Sequence, residues 1–122
     1  MSKKIYVAGP YSHPKRSMRL ANTERAIEAG FALMKAGYIA FIPHLSHYVH
    51  EWSIISGEGD IATYDFWLHQ DFAWLDECDA LLYLGPSHGA DLEKARAEAQ
   101  GKPVYTSVRE AIEALTKEEV HV

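Results

Sequence analysis

Residues 80–105 read ALLYLGPSHGADLEKARAEAQGKPVY, and the fold turns on how this stretch is parsed. Ala80 to Leu84 is an unbroken apolar run of strand length, as expected of a strand buried on both faces. Gly85 and Pro86 end it, a helical pattern follows until Gly101 and Pro103, and Val104 and Tyr105 begin another short strand. A strand, a helix and a strand in that order form a parallel unit, because parallel neighbours need a crossover between them.

The same alternation extends in both directions. Lys4 to Ala8 (KIYVA) is a strand stopped by Gly9 and Pro10. After the polar loop YSHPKRS, Leu20, Ile27, Phe31 and Met34 fall on one helical face, and Gly37 stands where a left-handed cap belongs. Tyr38 to Ile42 is the next strand, closed by Pro43. Residues Pro43 to Asp60 show no clean period and read as a long loop, followed by a helix from about Ala62 to Leu75. Ser107 and Glu110 have the spacing of a capping box for a last helix, VREAIEAL, and the charged tail TKEEVHV is expected to fray. The fold class is therefore α/β: one domain over residues 1–122, a flavodoxin-like or Rossmann-like three-layer sandwich with a mainly parallel sheet.

Composition narrows the function. A chain of 122 residues can bury about two thirds of its unfolded surface around one core. The net charge of -5 argues against a nucleic-acid polymer as partner, since such faces work by neutralising phosphates. The single cysteine, Cys78, points to a reducing compartment and a structural thiol. The apolar run in MSKKIYVAG is too short for a signal peptide or a membrane span, so the cytoplasm is expected, with no membrane contact.

In open parallel sheets, ligands bind beyond the carboxyl ends of the strands, where connections diverge to opposite faces. If the first and third strands are neighbours, the loop Gly9 to Ser17 faces the loop Gly85 to Asp91, and Tyr6, Ser12, Arg16, Ser87 and Glu93 converge there. Glu93 is expected in the first helical turn, where acidic side chains also occur merely to complement the helix dipole.

Three segments together, IYVAGPYS, YDFWLHQDFAWLDECDALLYL and SHGADLEKARAEAQGKPV, resemble the nucleoside 2-deoxyribosyltransferase superfamily over residues 4 to about 105. Within it the pattern looks like the small deoxynucleoside 5'-monophosphate N-glycosidases and related short bacterial and phage proteins of unassigned substrate. The resemblance implies a catalytic carboxylate in a Ser-x-Gly-x-x-x-Glu pattern, which falls on Ser87, Gly89 and Glu93. It implies a first-strand tyrosine, Tyr6, that holds this carboxylate, and an acid assisting departure of the base, Asp71 in DFAWLDECD. Such residues suit N-glycosidic cleavage: one carboxylate meets the oxocarbenium-like centre and a second carboxyl gives the leaving base a proton. Gly9, Ser12, Arg16, Ser87 and Gly89 would hold a nucleoside or nucleotide substrate, without a cofactor, in a homodimer or higher even assembly. A binding module that kept the crevice without turnover is the alternative.

The chain departs from those nucleotide hydrolases at Pro10 and in PKR, where they carry a more glycine-rich loop. His44, His47 and His50 in HLSHYVHEW match no standard zinc spacing. They read better as a lid over the base, with His47 and Trp52 as base contacts, or else as a plain dimer contact. Trp67 and Trp74, seven apart, share a helical face and fill core or interface.

Overall fold

The computed structural model describes residues 2–120. Four parallel strands lie in the order β2-β1-β3-β4: β1 is Lys4–Ala8, β2 Ile39–Phe41, β3 Ala80–Tyr83 and β4 Val104–Tyr105. The helices between and after them are α1 (Arg16–Lys35), α2 (Ser46–Ile55), α3 (Tyr64–Asp76), α4 (His88–Ala99) and α5 (Val108–Val120). β1 and β3 are neighbours with Tyr6 opposite Leu81, so the chain diverges from the middle of the sheet as the parallel reading requires.

Alternation along the strands builds two cores. Ile5, Val7, Ala80 and Leu82 face α1 and α5, where they meet Ala26, Leu33, Ala111 and Leu115. Tyr6, Ala8 and Leu81 face the other way, towards Leu75 of α3 and Ala90 and Ala97 of α4. Helices on both faces of one parallel sheet are the three-layer sandwich expected from the sequence.

Gly37 (φ 96°) and Gly101 (φ 74°) take the left-handed conformation that ends α1 and α4. At the start of α5, Ser107 Oγ accepts from the Glu110 amide at 3.0 Å, while the Glu110 carboxylate reaches back to Thr106, one residue earlier than a standard box.

Three expectations are corrected. Residues Pro43 to Asp60 are not a loop: Pro43–Leu45 is a 3₁₀ turn and Ser46–Ile55 is α2. Its period is hidden because its one buried residue is His47, while Tyr48, Val49, Trp52, Ile54 and Ile55 are exposed. The α1 stripe of Leu20, Ile27, Phe31 and Met34 is not the packed face either, since Phe31 and Met34 are exposed. The buried face is Thr23, Ala26, Ala29, Gly30 and Leu33, and all but Leu33 are small, which lets the helix lie close to the sheet. Finally, the tail does not fray at Thr116, because α5 continues to Val120; His121 and Val122 lie outside the described residues. α3 begins at Tyr64, capped by Thr63, whose hydroxyl accepts from the Phe66 amide at 3.3 Å.

Candidate functional site

A cleft of about 530 Å³ opens at the carboxyl ends of β1, β2 and β3, within the range of small-molecule sites, about 300–1,000 Å³. Gly9, Pro43 and Ser87, each just beyond a strand, contribute to its wall.

Glu93 reaches this cleft from α4. Ser87 caps that helix, its hydroxyl accepting from the Ala90 amide at 3.0 Å. Because the helix starts at His88, Glu93 is in the second turn and not the first. The dipole's influence has largely faded there. Glu93 is only 6% exposed, and the hydroxyl of the fully buried Tyr6 donates to its Oε2. Burial pushes the Glu93 carboxyl up to about 8, the Tyr6 hydrogen bond opposes this, and the charge of Asp71 adds to it. The Tyr6 hydroxyl is itself raised well above its ordinary value, first by burial and then by Glu93, so it remains a donor.

Asp71 lies on α3 and lines the same cleft. Burial raises its carboxyl to about 7. Two carboxyls that feel each other in one cleft, both able to hold a proton near neutral pH, are the group pair that acid-base work needs.

The other expected residues divide. Gly9, Ser12, Ser87 and Gly89 line the cleft. Arg16 and His47 do not. The Arg16 guanidinium binds Glu51 on α2, Nη2 donating to Oε1 at 3.0 Å, and is spent on that surface pair. His47 is fully buried between the Tyr11 hydroxyl, 2.9 Å from Nδ1, and Glu51, 3.3 Å from Nε2. Trp52 projects into solvent. The lid is corrected with them: a 3₁₀ turn carrying His44 and a formed helix carrying Ser46 and His50 already make part of the cleft wall.

Sequence reasoning missed Tyr11, Tyr64 and His88, and gave His44, His50 and Trp67 other roles; all six line the cleft. Tyr11 could have been found, since it follows Gly9 and Pro10 directly beyond β1. Tyr64 and His88 meet across α3 and α4 with tilted rings, centres 5.8 Å apart, a tertiary contact with no local signal. His44 donates from Nε2 to the Gly9 carbonyl at 3.0 Å, and burial lowers its basicity. Cys78 is buried with its thiol pushed up to about 11, which suits a structural residue. Among the described residues no three His, Cys, Asp or Glu side chains gather as a metal site requires.

The model of one family, described as a domain of unknown function (DUF1937), matches residues 3–108. None of the curated proteins matches the chain.

Proposed function

The chain belongs to the DUF1937 family, a domain of unknown function, and from its cleft we propose that it cleaves or transfers a 2-deoxyribosyl group at the N-glycosidic bond of a nucleoside. The observation that carries this reading is the buried Glu93, held at one carboxylate oxygen by Tyr6, in one cleft with a second buried carboxyl, Asp71. The resemblance of IYVAGPYS, the DFAWLDECD segment and SHGADLE to nucleoside 2-deoxyribosyltransferases supports the same chemistry.

The steps balance with these groups alone. With Oε2 held by Tyr6, Glu93 Oε1 attacks the anomeric carbon and forms a glycosyl ester. The C–N bond breaks and the departing base takes the Asp71 proton. Water, or a second base, then attacks the ester, Asp71 recovers a proton from it, and Glu93 leaves as carboxylate. Glu93 must be ionised to begin; the Tyr6 hydrogen bond and the positive charge developing on the sugar both favour that form.

A neutral nucleoside suits the cleft better than its 5'-monophosphate. No lysine or arginine lines it among the described residues. Arg16 is paired with Glu51, and Arg19 donates to the carbonyls of His13 and Pro14.

The second reading, a binding module without turnover, draws on one observation. A carboxyl raised to about 8 is mostly protonated at neutral pH and can serve as a hydrogen-bond donor to a ligand. Incubation with a panel of nucleosides and monophosphates, followed by chromatography of free bases, separates the two. Catalysis predicts released base in the presence of chelator, and a loss of at least about 100-fold in turnover for Glu93→Gln with the fold retained. Normal turnover by that variant removes Glu93 from the mechanism.

A further inference from the structure

His50 and Trp67 both line the cleft and are bonded to each other. The indole Nε1–H of Trp67 meets His50 Nδ1 at 3.2 Å. An indole nitrogen only donates, so Nδ1 must supply a lone pair, and the proton of the neutral ring sits on Nε2. No hydrogen bond among the described residues uses that Nε2–H. Trp67 thus fixes the tautomer of a half-buried imidazole whose remaining donor is unused.

The position of the pair indicates which part of a substrate it meets. Asp71 follows Trp67 by four residues, one turn further on the same face of α3. The group that would protonate the departing base therefore neighbours the group that holds His50. Ala62, Tyr64 and Leu68, from the same stretch as Trp67, add apolar and aromatic side chains to the wall, suited to a heterocycle more than to a hydroxylated sugar.

We propose that His50 determines base specificity, donating from Nε2 to a carbonyl oxygen or ring nitrogen on the base edge, and that Trp67 is the positioning residue that holds it in the donating tautomer. This inference rests on the proposed glycosidic chemistry. The purely structural alternative is that the pair only pins α2 to α3.

The test compares His50→Phe and Trp67→Phe with the parent on a nucleoside and on an aryl 2-deoxyriboside, whose leaving group has no hydrogen-bonding edge. Thermal unfolding verifies that each variant is folded. Base recognition predicts a fall in kcat/KM of about tenfold or more on the nucleoside, largely in KM, and a clearly smaller loss on the aryl deoxyriboside. Equal losses on both substrates, or no loss on the nucleoside, overturn it. If the parent cleaves neither substrate, the glycosidic reading fails, and calorimetric nucleoside binding then tests His50 separately. Binding about tenfold weaker in His50→Phe supports the contact; unchanged binding, or none by the parent, overturns it.

Discussion

At the scale of the residue, Glu93 is costly to the fold. Its carboxyl is raised to about 8 and that of Asp71 to about 7, in both cases chiefly by burial, whereas in the unfolded chain the two titrate near about 4.3 and about 3.9. Between those values the native state holds protons that the unfolded chain has released. Stability from these groups is therefore fully present below about pH 4 and declines as pH rises towards about 8. Replacing Glu93 by Gln removes its share of that decline while a neutral side chain can still accept from Tyr6. The melting temperature of Glu93→Gln is expected to gain on the parent between about pH 5 and about pH 9, with the variant the more stable at the upper end. A difference that stays constant across that range would show that Glu93 is not buried in its neutral form. This test needs no substrate, so it examines the electrostatics of the site independently of the reaction.

At the scale of the element, α1 and α2 show why apolar periodicity misled where it did. α1 docks through small residues, and Gly30 is its point of closest approach: a Cβ there would lie 2.4 Å from Ile42 Cδ1. Gly30→Ala would gain helix propensity at an exposed site, yet here the Ile42 side chain must move, and overpacking of this kind costs about 1–3 kcal/mol. A lower denaturation midpoint with unchanged slope is expected; a stabilised variant would mean that the helix and strand are less tightly apposed than 2.4 Å implies. α2 presents the opposite case, a helix anchored by one buried histidine with its large apolar residues in solvent. No amphipathic pattern can announce such a helix.

At the scale of the whole molecule, one of those exposed residues, Val49, belongs to an apolar surface beside β2. Met34, Phe41, Leu45, Val49 and Trp74 line a second groove of about 340 Å³. Trp74 stacks on Phe41 with ring centres 4.9 Å apart. β2 is an edge strand, and Ile39 on it is half exposed. The groove shares Trp67 and Asp71 with the cleft, so whatever covers it also backs the acid of the proposed mechanism. A second copy of the chain is the expected occupant, in keeping with the dimer that the resemblance implies. Solution scattering should give a dimer at micromolar concentration, and Val49→Lys should shift it towards the monomer. A parent protein that scatters as a monomer contradicts this. Among the described residues, no helix is long and apolar enough to cross a membrane.

The sequence by itself determined the parallel α/β architecture. Apolar runs such as ALLYL, bounded by Gly85-Pro86 and Gly101, record strand burial and chain reversal locally, and the order of elements then leaves few topologies open. Strand ends and loop positions also brought Tyr6, Ser12, Ser87 and Glu93 to one crevice, whereas Asp71 was reached only through the family resemblance. Only the tertiary structure decided that Glu93 belongs to the second turn, that Arg16 is tied to Glu51, that His47 is buried away from the cleft, and that Tyr64, His88, His50 and Trp67 form its wall. The physical reason is that burial, protonation and pairing depend on groups brought together across α2, α3 and α4 from distant parts of the chain. A sequence records each residue's own chemistry, and the packed fold selects which neighbour that chemistry meets.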